Sequence, residues 1–109
     1  MFDKEILDDD GYPTQEYLDW LGEWKNVDHR QRIKDILESL HESWYFGDWG
    51  YKIHRPYSGN VKIELHTGGW SGNEDIIYAL KQNVIFWYHW RMSKVGGHYY
   101  FEFETEDIR

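Results

Sequence analysis

Helical periodicity dominates residues 14–44. Apolar side chains recur there at the spacing of one helix face, in two separate stripes. The first stripe contains Tyr17, Trp20, Leu21 and Trp24, and the second contains Ile33, Ile36, Leu37, Leu40 and Trp44. Thr14 predicts the N-cap of the first helix, and Asp28-His29-Arg30-Gln31 has the form of a capping box for the second. We therefore expect two N-terminal helices.

Strict alternation then replaces the helical period and predicts a β-hairpin. The apolar positions are Trp49, Tyr51 and Ile53 in one strand and Val61, Ile63 and Leu65 in the other. Polar residues lie between them, including His54, Glu64 and His66. Pro56 and Ser58-Gly59-Asn60 are turn residues. The hairpin should therefore have one apolar face and one polar face.

A loop at 67–73 precedes a short helix. Ser71-Gly72-Asn73-Glu74 has the form of a capping box, and Asn83 is a suitable C-terminal stop. Residues 84–90 are rich in β-branched and aromatic side chains, which favours a strand, although a single helix over 74–92 is the alternative. A turn at 93–97 and a return strand through Tyr99, Phe101 and Phe103 would complete a second hairpin.

These elements predict an α+β fold. We expect an antiparallel sheet of about four strands, arranged as two hairpins, with two N-terminal helices and one short helix between the hairpins. Residues 12–109 should form a single α+β domain, and residues 1–11 a loose acidic N-terminal segment.

The composition narrows the class of protein. The chain has seven Trp, nine Tyr and five Phe among 109 residues and no Cys, so disulfides, thiolate metal sites and a cysteine nucleophile are excluded. The first residues are charged, which does not fit a secretory signal, and no apolar run approaches the ~20 residues of a membrane helix. We therefore expect a cytoplasmic protein without a membrane partner.

The formal charge of −8 is unevenly distributed. Residues 1–25 carry −6, residues 26–100 carry +1 and residues 101–109 carry −3. This balance disfavours a generic nucleic-acid binder, although Lys52, Arg55, Lys62, Arg91 and Lys94 interleave with aromatic residues. An acidic surface instead suits a basic protein partner.

The glycine-rich loop is the strongest candidate site. Its glycines permit close backbone approach to a ligand, and it enters a helix N-terminus, which favours an anion. The candidate ligand- or partner-binding residues are Thr67, Gly69, Trp70, Ser71 and Asn73. In the purely structural alternative, the glycines form a tight turn, Ser71 caps the helix and Trp70 fills the core.

Histidines provide a weaker candidate. His54 and His66 fall on the polar face of the first hairpin and His98 begins the last strand, so a general base or a metal site with Glu64 or Glu102 is conceivable. The spacing matches no diagnostic catalytic or metal motif, and His66 and His98 remain the only catalytic candidates. Nucleophile-elbow, phosphate-loop and dinucleotide fingerprints are also missing. We expect no metal and no cofactor.

One resemblance covers most of residues 12–103. The segment from Leu65 to Glu74, with Gly96-Gly97-His98-Tyr99 and Tyr12-Pro13-Thr14, resembles short uncharacterised proteins of phages and prophages. Phe86-Trp87 and Trp90 belong to the same pattern. The resemblance implies an origin and no particular chemistry. Such an origin favours a small protein that binds a host component, for example an inhibitor of a host defence system.

Three functions follow as hypotheses. The first is a non-catalytic module that binds a host protein through an acidic helical face or exposed aromatic residues. The second is a binder of a small ligand, nucleotide or anion at loop 66–74, and the third is a small enzyme using His66 or His98 with a carboxylate. Edge-to-edge pairing of strands into a homodimer is a further alternative.

Overall fold

A computed structural model of the chain describes residues 2–25, 29–56 and 59–108. Its helices are α1 (Gln15–Gly22), α2 (His29–Ser43), α3 (Gly47–Gly50), α4 (Ser71–Gln82) and α5 (Val84–Trp87), followed by a 3₁₀ turn at Thr105–Ile108. Its strands are β1 (Tyr51–His54), β2 (Val61–His66), β3 (Trp90–Lys94) and β4 (His98–Phe103). Among those residues, no helix is both long enough and apolar enough to cross a membrane.

The four strands form one antiparallel sheet in the order β1-β2-β4-β3. Each hairpin therefore places one strand at an edge and one in the centre, and β2 pairs with β4 from Val61↔Phe103 to His66↔His98. The predicted α+β fold, with two N-terminal helices and a helix between two hairpins, is confirmed.

One core joins the sheet to the helices. Val61, Ile63 and Leu65 of β2 are buried, whereas the alternate residues of that strand face the other way. The core residues from the helices and β4 are Tyr17, Leu21, Ile33, Ile36, Leu37, Leu40, Ile76, Ile77, Ala79, Leu80, Phe86, Phe101 and Phe103. The buried residues of both predicted apolar stripes therefore belong to the same core as the apolar face of the first hairpin.

The first helix begins as predicted but ends earlier. Thr14 caps α1, because its side-chain oxygen accepts a hydrogen bond from the Tyr17 amide at 3.2 Å. The prediction that Trp24 belongs to the apolar stripe of this helix was wrong, because Trp24 lies beyond the helix and is 45% exposed. The chain turns extended at Glu23, and the carbonyls of Leu21 and Glu23 accept hydrogen bonds from the side chain of Asn83.

The second helix carries the predicted apolar stripe and is followed by the buried ring of Trp44. The predicted capping box begins at Asp28, which lies outside the described residues. In the predicted first hairpin, Ser58 also lies outside them, while Gly59 has a φ of +103° that suits a turn.

The first strand starts later than alternation predicted. Trp49 belongs to the helical turn α3, and β1 begins only at Tyr51. The turn forms because the amides of Trp49 and Gly50 both donate to the Phe46 carbonyl, at 3.2 and 2.6 Å. The prediction of strand structure at Trp49 was therefore wrong.

Both predictions for residues 84–90, a strand or part of a single long helix, were wrong. These residues do not form one strand, because 84–87 is a helical turn and only Trp90 enters β3, and they do not continue α4 as a single helix over 74–92. Asn83 causes the break: its side chain accepts from the Phe86 amide at 3.1 Å and thereby starts α5. The hairpin turn is also shorter than predicted, since Ser93 and Lys94 lie in β3.

The acidic N-terminal residues contact the domain at several points. The ring of Phe2 lies 5.5 Å from that of Tyr17, and the Thr14 amide donates to the Ile6 carbonyl at 2.9 Å. The boundary at residue 11 stays a prediction.

Asn83→Ala should lower the free energy of unfolding by about 3 kcal/mol, because three hydrogen bonds are lost and the buried Phe86 amide is left without a partner. Urea denaturation measures this loss. Gln82→Ala is the matched control, since Gln82 is an exposed neighbouring amide, and it should change the free energy by less than about 0.5 kcal/mol. Equal effects of the two substitutions would contradict the role given to Asn83.

Tyr17 makes stability sensitive to alkali. Burial raises the pKa of the Tyr17 phenol to about 12, although hydrogen bonds with Ser39 and Ser43 act in the opposite direction. Because the folded-state pKa lies above the unfolded value of 10.0, the stabilisation is complete below pH 10 and is lost as the pH rises through 12.

We expect the wild type to lose roughly 2 kcal/mol more than Tyr17→Phe between pH 10 and 12, which is most of the loss that a pKa difference of two units implies. Denaturant titrations across that range measure the difference. Parallel pH profiles for the two proteins would show that the buried phenol is not responsible.

Candidate functional site

The glycine-rich loop is joined to a second loop by the buried side chain of Asn73. The Asn73 oxygen accepts from the Tyr45 amide at 2.9 Å, and its nitrogen donates to the carbonyls of Tyr45 and Thr67 at 2.8 and 3.2 Å. This amide therefore holds residues 44–50 against residues 67–70. Its hydrogen-bonding groups are turned to the protein backbone.

Thr67 joins the same loop to the β3–β4 turn. Its amide donates to the Gly97 carbonyl at 2.9 Å, and its side chain is buried. A side chain at Gly97 would collide with the Thr67 hydroxyl, and Gly97 has a φ of +83°. The close approach of the two loops therefore requires glycine at this position.

Trp70 lies in a stack of three rings. Its indole is 4.7 Å from the Tyr12 ring and 4.6 Å from the Tyr45 ring, each inclined by 25°. Both faces of the indole are thus covered by the protein's own side chains. The arrangement leaves Trp70 as a support and gives it no open face on which a base or sugar could stack.

Ser71 and Gly69 have different environments. Ser71 is the exposed first residue of α4, and no side chain caps that helix, so the predicted capping box is wrong. The Trp70 amide instead donates to the Thr67 carbonyl at 3.1 Å, which turns the chain into the helix by backbone bonding. Gly69 is exposed with a φ of +76°.

An aromatic surface, formed by Tyr45, Phe46 and Trp49, lies over this loop. The three side chains are 47%, 38% and 48% exposed. The Phe46 ring is 4.3 Å from that of Tyr45 and 5.0 Å from that of Trp49. Gly68 lies beneath the rings, since a Cβ there would come within 2.8 Å of Trp49 and 2.9 Å of Phe46. Large exposed rings on a fixed support are typical of a binding surface.

The backbone of Phe46 is strained. Its φ of 65° and ψ of 38° are left-handed helical values, and within the described residues it is the only non-glycine residue with a positive φ. This conformation costs roughly 1–2 kcal/mol for a residue with a Cβ. This surface was not predicted from the sequence, although the density of aromatic residues at 44–49 could have indicated it.

Histidines from three strands and the carboxylate of Glu64 form one hydrogen-bonded cluster on the polar face of the sheet. Glu64 lies 2.7 Å from Nε2 of His54 and 3.1 Å from Nε2 of His66. Nδ1 of His66 lies 2.7 Å from Nδ1 of His98. The structure therefore brings both catalytic candidates together with Glu64.

Hydrogen bonding assigns the tautomers of these rings. Glu64 is an acceptor, so His66 donates through Nε2 and, when neutral, presents a lone pair on Nδ1. His98 then donates from its own Nδ1 and keeps a lone pair on Nε2. The result is a continuous chain of hydrogen bonds from Glu64 through His66 to His98.

The hydrogen bonds with His54 and His66 also affect the pKa of the Glu64 carboxyl group. Burial alone would raise the pKa of Glu64, but the hydrogen bonds and charges of His54 and His66 together lower it below its ordinary value. A fourth histidine, His89, is buried with its Nδ1 3.9 Å from a carboxylate oxygen of Asp107, and it lines a cavity of ≈ 570 Å³ together with Glu102, Glu104 and Arg91.

Glu64→Gln should remove a stabilisation that depends on pH. Because the folded-state pKa of Glu64 is lowered, its contribution is present above pH 4.5 and is lost as the pH falls through the lower folded value. The difference in unfolding free energy between wild type and variant should therefore shrink in acid. A difference that stays constant from pH 7 to pH 3 would contradict this assignment.

The described ranges contain no group of three or more histidine, aspartate or glutamate side chains arranged to hold a metal ion. The candidate site is the end of the domain where segments 44–50, 67–70 and 95–97 meet.

Comparison with protein-family models, with curated proteins and with solved structures finds no match to this chain.

Proposed function

We propose that this protein is a small non-catalytic module of phage or prophage origin that binds a host protein through the aromatic surface of Tyr45, Phe46 and Trp49. The strained backbone of Phe46 is the observation that carries the proposal. Strain of this kind persists where the surroundings enforce it, and it concentrates at functional sites. Here it holds a large ring that is 38% exposed at the surface.

The support beneath the surface favours binding. Asn73 fixes the backbone at Tyr45, and Gly68 lets the rings of Phe46 and Trp49 lie directly on the loop. Side chains that are already positioned lose less conformational entropy when a partner binds. Aromatic residues of this size are also the residues that contribute most at protein interfaces.

Charge favours a basic partner. Asp48 lies within the turn that carries Phe46 and Trp49, and Asp8, Asp9 and Asp10 precede Tyr12 at the other end of the ring stack. With a net charge of −8, the protein would attract a positively charged surface over a distance of several ångströms. A basic host protein, such as a nucleic-acid-binding component of a defence system, is the class of partner that fits.

The two alternatives have less support. For a ligand or anion binder at 66–74, the side chains of Thr67 and Asn73 are already engaged with the protein backbone, and Trp70 has no free face. For a small enzyme, the hydrogen-bonded chain from Glu64 through His66 to His98 would supply a base. The cavities near α5, α2, α1 and the N-terminal segment, however, are lined by other residues.

The test is capture of a partner from nuclease-treated host lysate, followed by reconstitution of the complex from purified proteins. Trp49→Ala and Phe46→Gly should each weaken binding at least tenfold, or about 1.4 kcal/mol. Phe46→Gly also relieves the backbone strain, so its melting temperature should stay close to that of the wild type.

Tyr78→Ala is the matched control, because Tyr78 is an aromatic residue on α4 that is 69% exposed and lies outside the aromatic surface. It should bind like the wild type, and raising the salt concentration should weaken all complexes. Loss of binding in Tyr78→Ala but not in Trp49→Ala would refute the assigned surface.

A further inference from the structure

We propose that His66 and His98 chelate one transition-metal ion of the kind that imidazole prefers, such as Zn²⁺, Cu²⁺ or Ni²⁺. The inference goes beyond partner binding at the aromatic surface and does not depend on it. It starts from the arrangement of two imidazole nitrogens and one carboxylate on the polar face of the sheet.

The two histidines are placed as a chelating pair by the strand register. His66 and His98 are direct partners across β2 and β4, so both side chains project from the same face at the same level. Their Nδ1 atoms lie 2.7 Å apart and point to one another. Two central strands thus hold the two rings next to each other before any ion binds.

The distance between the two Nδ1 atoms is close to the distance that a shared metal ion requires. An ion bound ~2.0–2.1 Å from each nitrogen in tetrahedral geometry requires nitrogens roughly 3.3 Å apart. Each ring would withdraw by roughly 0.3 Å, which rotation about the side-chain bonds allows. The proton that now lies between the two nitrogens would leave Nδ1 of His98, and His98 would become the tautomer that is protonated on Nε2, so that both Nδ1 lone pairs face the ion.

Glu64 prepares His66 as a ligand. Its carboxylate accepts the Nε2 proton of His66, which leaves the Nδ1 lone pair directed at His98. Metal-binding histidines are commonly held by a carboxylate in this way, because the hydrogen bond fixes the tautomer and raises the basicity of the ring. The negative charge of Glu64 also offsets the positive charge of the ion.

His66 and His98 are both partly exposed to solvent. The side chain of His66 is 13% exposed. Lys94 pairs with His98 between β3 and β4, and its ammonium nitrogen lies 5.6 Å from the centre of the Tyr100 ring. The described residues offer no third protein ligand in the required geometry. The remaining coordination positions would therefore be filled by water or by a group from another molecule.

The first experiment is calorimetric titration of the full chain, without a polyhistidine tag, with Zn²⁺, Ni²⁺ and Cu²⁺ at pH 7.5. We expect one ion per chain and no binding of Mg²⁺, which prefers oxygen ligands. His98→Gln should weaken Zn²⁺ binding by roughly tenfold or more, because a single imidazole cannot chelate. Glu64→Gln should weaken it about ten- to hundredfold.

His54→Gln is the matched control. His54 contacts the same carboxylate but lies away from the proposed ion, so its loss should leave one ion per chain and an affinity within a few-fold of wild type. Equal affinity of wild type and His98→Gln, or Zn²⁺ binding no stronger than that of Mg²⁺, would overturn the proposal.

A second measurement uses the wild type alone and so does not depend on how a variant folds. Nitrogen-15 spectra of the imidazoles should show Zn²⁺ shifting Nδ1 of both His66 and His98, with Nε2 of His66 still protonated toward Glu64. Metal on Nε2 of either ring would contradict the chelate. Neither result depends on the aromatic surface, so this inference and the proposed function can fail separately.

Discussion

The buried amide of Asn73 is the interaction on which the geometry of the candidate site depends. A backbone loop that leaves regular structure inside a protein needs partners for its polar groups, and Asn73 supplies a donor and an acceptor to the same residue, Tyr45. It also donates to Thr67. One side chain therefore fixes two loops relative to each other, and the stacked rings above them inherit that fixed geometry.

A second asparagine has the corresponding role at the other end of α4. Asn83 bonds to carbonyls at the end of α1 and to the first turn of α5. The helix between them is thus anchored at both ends by amide side chains. This arrangement separates α4 from α5 and allows β3 to begin three residues after α5 ends.

Much of the fold could be predicted from local pattern. The stripes on α1 and α2 and the alternation in β2 and β4 are determined by burial, which the sequence records at every second or third position. The end of α4 at Asn83 was also predicted, but the second helix that starts there was not. The Asn83 side chain starts α5 through the Phe86 amide and also bonds to a carbonyl 62 residues away, and Phe46 adopts a conformation that its residue type disfavours.

The candidate site was predicted only in part for the same reason. Strand alternation placed His54, Glu64 and His66 on one face, and the register then brings His98 to them. Among the loop residues named from the sequence, Asn73 holds the loop to its neighbour, while the exposed rings come from the neighbouring segment at 44–50. Which of two adjacent loops supports the other depends on tertiary contacts that neither segment encodes alone.

The continuous row of rings from Tyr12 through Trp70, Tyr45 and Phe46 to Trp49 has an optical consequence. Aromatic chromophores in fixed, close and asymmetric orientation couple their electronic transitions, and near-ultraviolet circular dichroism reports such packing separately from secondary structure. This end of the molecule therefore carries its own spectroscopic signature. Any event that separates the two loops would change that signal while the far-ultraviolet spectrum of the helices and sheet stayed the same.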